Sequence, residues 1–220
     1  MTIVNSLYRH HSTITLATED RDGIATAQTT AGAGNLTLAG ALTSGGVYTA
    51  GDGSGVSVGH QVSAYCAGDI NTVVFTVTGT DPDGLAQTDT ITGVNASTVE
   101  TTKYFKTVTQ VAASATCGTN VEIGIVDEIA TQRIPIEPRT TNFSVGMGCD
   151  ITGTASVTVQ LTMDNLYDPD TTPNYIADTT FATKTSTFFS QLGVLCSAVR
   201  LVTNSYSTSA VLNFHVIQNK

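Results

Sequence analysis

"VFTVTGTDPDGLAQTDTITG", residues 74–93, alternates apolar residues with threonine, bends at Asp81-Pro82-Asp83-Gly84 and then continues with more threonine. Alternation with a period of two is typical of a β-strand that buries one face. Aspartate, proline and glycine at the first, second and fourth positions fit a type I turn. A helix-flanked calcium loop would need further oxygen ligands and a glutamate at its twelfth position, which the residues after Gly84 do not supply. The stretch therefore predicts a β-hairpin whose tip performs no chemistry.

Threonine dominates the composition and favours the same structure. The chain has 220 residues, of which 40 are threonine, and charged residues make up only 12%, about half their usual share. Threonine is β-branched, so it fits a pleated strand better than a helix and keeps a hydroxyl on the wet face. The composition alone predicts an all-β protein.

The same alternation recurs in four further segments, namely 103–111, 121–126, 155–164 and 209–218. The residues predicted to share a strand face are Phe75 with Val77; Phe105 with Val111, opposite Tyr104 and Val108; Val121, Ile123 and Ile125; Val157, Val159, Leu161 and Met163; and Leu212, Phe214 and Val216. Residues 194–202 are apolar on both faces, which is typical of an interior strand. Only 179–193 is compatible with a short helix or turn, and its threonines disfavour the helix.

Two changes in amino-acid composition along the chain predict the domain organisation. Residues 29–59 carry much of the glycine, so this part is expected to be rich in loops and less ordered than the rest. Residues 127–142 contain Pro135 and Pro138, which hold the backbone extended and suit a crossover or an edge segment. We therefore expect an N-terminal arm and glycine-rich region at 1–60, and two small antiparallel β-sandwich-like modules at 61–130 and 131–220.

The charge balance makes nucleic acid and membranes poor candidates as partners. The formal net charge is −9, and only nine lysines and arginines are spread along the chain. Such a chain has no basic stripe to offset a phosphate backbone or an anionic bilayer. Residues 1–20 lack the apolar core of a signal peptide, and no segment has the roughly 18 apolar residues of a membrane span. Synthesis in a cytoplasm is expected.

Cysteine and histidine residues give no sign of a disulfide framework, a metal site or a cofactor. The four cysteines, Cys66, Cys117, Cys149 and Cys196, lie far apart and form no C-x-x-C pair, so buried free thiols are expected. The four histidines, His10, His11, His60 and His215, have no metal-ligand spacing. The glycine-rich "GDGSG", residues 51–55, matches neither a phosphate-binding loop nor a nucleophile elbow.

One acidic segment leaves two interpretations open. Asp164, Asn165, Asp168 and Asp170 could offer oxygen ligands to calcium, which prefers several such oxygens. The Asp-Pro and Thr-Pro steps of the same segment are ordinary chemistry for a long turn between strands. We favour the turn and predict no metal site.

No residues form a recognisable catalytic constellation. Acyl transfer needs a nucleophile, a base and an orienting group, and none of the histidines lies in a sequence context of that kind. Paired carboxylates for glycoside hydrolysis are invisible in a sequence, but the chain has no tryptophan to form a sugar platform. We predict that the protein is not an enzyme and has no catalytic or cofactor-binding residues; a small glycan-active enzyme is the alternative from another class.

Several blocks of the chain together resemble a known family. The blocks are "DGIATAQTTAGAGNLTLAGALTSGG" at 22–46, "VVFTVTGTDPDGLAQTDTITGVNASTVETTKYFKTVTQV" at 73–111, "NFSVGMGCDITGTASVTVQLTMDN" at 142–165 and "AVRLVTNSYSTSAVLNFHVIQ" at 198–218. They are similar to virion structural proteins of tailed bacteriophages, of the kind encoded near the capsid and portal genes of short-tailed phages. The second block is the most specific. The third lacks the tryptophan that commonly precedes the second half of the family pattern.

The resemblance implies a non-enzymatic part of the virion, made in the host cytoplasm. Within that class we favour a capsid decoration or cement protein on the outer surface of the head, bound to the major capsid protein lattice and self-associated as a trimer or dimer. A neck, tail or head-fibre component that binds a host surface polymer is the alternative. Residues 29–59 and the N-terminal "MTIVNSLYRHH" are the segments expected to order against a neighbour.

Overall fold

The protein is built from β-strands. The computed structural model describes residues 7–51, 53–137, 144–168, 172–207 and 209–219, and within them it contains 18 strands and no helix. The strands are β1 Leu7–Thr15, β2 Asp20–Thr30, β3 Gly34–Asn35, β4 Thr43–Ser44, β5 Val47–Thr49, β6 Val58–Cys66, β7 Val74–Thr80, β8 Ala86–Thr92, β9 Ser97–Phe105, β10 Thr107–Ala113, β11 Cys117–Thr131, β12 Ile134–Pro135, β13 Val145–Thr152, β14 Ala155–Thr162, β15 Ile176–Ala177, β16 Phe188–Gln191, β17 Ala198–Tyr206 and β18 Val211–Asn219. Several antiparallel sheets confirm the predicted all-β, sandwich-like class. Across these ranges, no helix is long and apolar enough to span a membrane.

The chain divides into two compact units, which do not follow the order of the sequence. The terminal unit comprises residues 1–16, 52–56 and 131–220, and the central unit comprises residues 17–51 and 57–130. The limits expected for the N-terminal region at 1–60 and for the two β modules at 61–130 and 131–220 stay predictions.

In the central unit, the opening stretch forms the predicted hairpin. β7 pairs with β8 from Val74↔Thr92 to Thr80↔Ala86, and its Phe75 and Val77 are fully buried as predicted. The Gly84 amide donates to the Asp81 carbonyl at 3.0 Å, which closes the predicted turn. The Leu85 amide donates to the Asp81 carboxylate at 2.8 Å.

The strands of the central unit form two sets, and the hairpin belongs to the first of them. One set runs in the order β4-β5-β10-β7-β8, with β3 also paired to β10. In the other, β11, β6 and β9 are neighbours and β2 pairs with β11. Val121, Ile123 and Ile125 of β11 are buried, as their alternation predicted.

The terminal unit brings together the two ends of the chain. One sheet has the order β1-β18-β13-β16, and β18 pairs with β1 over nine residues. Another set joins β15, β14 and β17, with β12 paired to β17 through Ile134 and Pro135. The predicted inner residues Leu212, Phe214 and Val216 are buried.

The segment 103–111 is two strands rather than one. β9 ends at Phe105 and pairs with β6, whereas β10 begins at Thr107 and pairs with β7. The change of partner separates the face of Phe105 from the faces of β10. Within β10, a register shift between Val108 and Gln110 allows Val108 and Val111 to be buried together. Phe105, Val108 and Val111 are all buried, so the prediction that Val108 faces opposite to Phe105 and Val111 within one strand was wrong.

Two predicted strand features also differ near the ends of β14 and β17. β14 ends at Thr162, so Met163 lies beyond the ladder and is 62% exposed instead of sharing the inner face. β17 begins at Ala198, and Val194 and Leu195 are exposed rather than part of an interior strand. Residues 179–193, for which a short helix or a turn was expected, hold turns and the short β16.

Candidate interaction surface

The sheet β1-β18-β13-β16 aligns four residues in one row across its strands. Their Cα partners are His11↔His215, His215↔Gly148 and Gly148↔Phe189. Because residues directly opposite each other in a sheet point to the same face, all four lie on one face. Met147, Cys149, Phe214 and Val216, their neighbours in sequence, are buried on the other face. The row therefore lies on the outer face of the sheet.

Phe189 lies on this outer face and is 68% exposed. Two glycines of β13 make room for its ring. A Cβ atom added at Gly146 or at Gly148 would lie 2.9 Å from an atom of the Phe189 ring, closer than real Cβ contacts. The ring therefore rests on bare backbone with much of its surface facing outward.

Two histidines form a stacked pair beside the glycines. The rings of His11 and His215 have centroids 4.6 Å apart and an interplanar angle of 21°, and His215 Nε2 lies 3.3 Å from Asp150 Oδ2. The two histidines are 204 positions apart in the sequence, so no motif based on residue spacing predicts that they pair. The register of β1 against β18 alone brings them together.

Next to Phe189, the chain presents further apolar side chains, and we call residues 188–195 the edge segment. Its β16 is the last strand of its sheet. Residues Gln191, Leu192, Gly193, Val194 and Leu195 line an open recess of about 350 Å³. Val194 and Leu195 are 41% and 60% exposed. Edge strands and exposed apolar clusters are features of binding surfaces.

The acidic segment uses its oxygens to organise a turn. Asp164 Oδ2 accepts from the Asn174 amide at 2.5 Å and from Thr162 Oγ1 at 3.2 Å. Asn165 Oδ1 accepts from the Tyr167 amide at 3.1 Å. Asp170 lies outside the described residues. Within the ranges that the structure describes, no three or more histidine, cysteine or acidic residues are grouped so that they could hold a metal ion.

All four cysteines are buried free thiols, as predicted. Burial raises the pKa of Cys149 to about 12, with the Asp150 charge adding to the effect. Burial likewise raises the pKa of Cys196 to about 11. Thiolates, not thiols, are the reactive species, so neither residue is a nucleophile at neutral pH.

The other two histidines are structural. His60 is buried in β6, and its Nδ1 lies 3.3 Å from the Val126 carbonyl. Burial lowers its pKa to about 4 despite that hydrogen bond. Burial and the neighbouring charge of His11 lower the pKa of His10. Both rings are therefore neutral at pH 7.

The segments expected to contact a partner have many of their described residues packed within the units, and contact with a partner stays a prediction. Between residues 29 and 51, Leu36, Leu38 and Tyr48 are buried in the central unit. From Leu7 onward, the N-terminal segment forms β1, which pairs along its whole length with β18. Residues 1–6 lie outside the described part of the chain.

The central unit also has a cluster of acidic side chains on β9, β11 and the residue before β2. Burial raises the pKa of Glu100, and the charges of Asp127 and Glu19 raise it further. Burial raises the pKa of Glu128 as well, followed by the charges of Glu100 and Asp127. These carboxylates repel one another, and their effect on stability can be tested.

Comparison with known proteins adds no relative: no protein-family model matches the chain and no curated protein matches it. The site must be interpreted from its own geometry. Its exposed phenyl ring, open recess and sheet edge are suited to binding a surface.

Proposed function

We propose that this chain is a non-enzymatic structural protein of a bacteriophage virion, a capsid decoration or cement protein on the outer surface of the head. Its partners are the major capsid protein lattice and further copies of itself, and it uses no cofactor, nucleic acid or membrane. The observation that carries the proposal is the edge segment, where Phe189, Val194 and Leu195 expose apolar surface beside the last strand of a sheet. The resemblance of residues 73–111 to virion structural proteins supports the particular class.

A head-surface role makes a numerical prediction. A protein that coats an icosahedral shell is present in proportion to the shell subunits, on the order of hundreds of copies per particle. Quantitative gel densitometry of purified virions, scaled to the major capsid protein, measures that number. About a dozen copies or fewer, as expected at a single portal vertex or tail, would contradict the proposal.

A second assay tests the surface itself. Particles stripped of this protein are incubated with the purified wild-type chain or with the Leu195→Lys variant, and bound protein is measured after sedimentation. We expect the variant to occupy the particle less, because a buried contact would have to desolvate the new charge. Tyr167→Lys is the matched control, since Tyr167 is 91% exposed in the acidic turn. Equal occupancy by both variants would exclude the edge segment from particle binding.

The second candidate is a neck, tail or head-fibre component that binds a host surface polymer. The row of Phe189, His215 and His11 favours it, because three rings on one sheet face offer a stacking surface to a polymer chain. This role predicts that the purified protein adsorbs to susceptible cells and competes with infection. Adsorption that Phe189→Ala abolishes and that Tyr167→Ala leaves unchanged would favour this candidate over the capsid surface.

A further inference from the structure

The edge of β16 has two residues whose backbone groups face away from the sheet. The Leu192 amide donates to the Val145 carbonyl at 2.8 Å, and the register continues through Gly146↔Gln191 and Gly148↔Phe189. In an antiparallel ladder, hydrogen-bonded and non-hydrogen-bonded pairs alternate. Phe189 and Gln191 are therefore in non-hydrogen-bonded pairs with β13, and their N–H and C=O groups point outward. No described strand pairs with this outer side.

We propose that a second copy of this chain pairs with the outer edge of β16, so that two sheets join across a two-fold axis at Ser190. In that register, Phe189 of one copy lies opposite Gln191 of the other. Each opposed pair exchanges two backbone hydrogen bonds, which satisfies all four outward N–H and C=O groups. The outward backbone groups of Phe189 and Gln191 flank Ser190, whose backbone groups point toward β13. A two-fold axis at Ser190 therefore places each outward residue of one copy opposite an outward residue of the other.

The apolar side chains favour the same partner. In the proposed register, the exposed ring of Phe189 lies beside Gln191 of the second copy, where the recess lined by residues 191–195 begins. An exposed aromatic residue and a recess on one short segment match an isologous interface, in which each copy supplies both halves of the contact.

Charge is compatible with a second copy at this position. Each chain has a formal net charge of −9, which opposes self-association over most of the surface. Residues 185–199 contain no charged residue, because Lys184 and Arg200 lie just outside them. Two copies can therefore meet here without placing like charges opposite each other. This inference rests on the proposed structural role and specifies which segment joins two copies of the chain.

The first experiment measures self-association of the purified full-length chain by sedimentation velocity over a range of concentrations. We expect wild type to dimerise and Gln191→Pro to weaken the dimer about 30-fold, the value of two lost backbone hydrogen bonds. Proline at 191 removes an N–H that points outward, so β16 keeps its bonds to β13. Phe189→Lys tests the side-chain contact and is expected to weaken the dimer. Tyr167→Lys is its matched control and is expected to leave the dimer unchanged.

The second experiment tests the register through a disulfide. Residues opposite each other in a non-hydrogen-bonded pair have Cα atoms about 4.5 Å apart, within the range that a disulfide spans. Ser190→Cys is therefore expected to form a covalent dimer on mild oxidation. Ser186→Cys, four residues away and exposed, is the control and should stay uncrosslinked. The native cysteines are buried and do not compete.

The outcomes separate this inference from the proposed function. A chain that is monomeric at all concentrations, or an oligomer that Gln191→Pro and Phe189→Lys leave intact, would overturn the β16 pairing. A dimer without a Ser190→Cys crosslink would overturn the two-fold register. None of these results depends on particle copy number, so the dimer and the decoration role can fail independently. Circular dichroism of each variant shows that loss of the dimer is not loss of the fold.

Discussion

At the scale of single residues, one glycine shows how local backbone geometry is tied to sequence. Gly84 ends the turn between β7 and β8 with a φ angle of +83°, a conformation that residues with a Cβ atom adopt only at a cost. The hairpin therefore depends on glycine at 84 as much as on the alternation that flanks it.

Gly84→Ala is expected to destabilise the protein by about 1 kcal/mol, or roughly 2–4 °C in Tm for a chain of this size. Gly118→Ala is the matched control. Neither position has an atom within 4 Å of an added Cβ, and Gly118 lacks the positive φ angle. Thermal unfolding compares the two variants. Equal effects would mean that φ strain is not the cause.

At the scale of elements, the strands β9 and β11 hold carboxylates whose ionisation opposes folding. The pKa values of Glu100 and Glu128 are raised by burial and by neighbouring negative charges. The folded chain therefore binds more protons than the unfolded chain between the unfolded and folded pKa values. Stability contributed by these groups is present at lower pH and is lost as pH rises through that window.

Glu100→Gln is accordingly expected to raise Tm at pH 7.5, because it removes a charge that the fold disfavours. The gain should shrink as the pH is lowered and the wild-type carboxyl becomes protonated. Glu137→Gln removes the same charge at an exposed position of the terminal unit and serves as the control. A gain for Glu100→Gln that does not change with pH would argue against ionisation as its source.

The strand β1 is part of a core and not a loose arm. Ile14 is buried while its neighbour Thr15 is exposed. We expect Ile14→Ala to cost about 2–5 kcal/mol and Thr15→Ala to change stability by less than about 0.5 kcal/mol, measured by urea unfolding. A truncation that removes β1 would therefore disrupt the sheet that β1 forms with β18, so loss of binding in such a variant would not identify a contact site.

At the scale of the whole molecule, the terminal unit joins strands from opposite ends of the chain. β1 pairs with β18 from Leu7↔Asn219 to Thr15↔Val211, so this sheet is completed only after the last strand has been made. Long-range pairing of this kind closes large loops and is slow. The central unit is formed by residues 17–51 and 57–130 and contains no residue of β18.

Hydrogen exchange can test this division. Phe214 in β18 and Phe75 in β7 are both fully buried, and truncation of either to alanine costs about 3–5 kcal/mol. We expect Phe214→Ala to accelerate exchange mainly in β1 and β13, and Phe75→Ala to accelerate it mainly in β8 and β10. Uniform acceleration in both variants would show that the two units unfold as one.

The sequence alone determined the strand class and most buried faces. Alternation identified Phe75, Val77, Ile123, Leu212 and Phe214 as core residues, because a period of two records which side of a strand faces the interior. Turn chemistry identified the hairpin tip, because proline and glycine fix local φ angles. These features depend on neighbours in sequence, so they can be predicted without a fold.

The candidate interaction surface depended on tertiary structure. The register of β1, β18, β13 and β16 brings His11, His215 and Phe189 into one row and makes β16 an edge. The apolar run at 194–202 indicated burial, yet Val194 and Leu195 are exposed because β17 begins after them. Register and strand ends are set by which distant segments pair, and alternation along one strand contains no information about its partner.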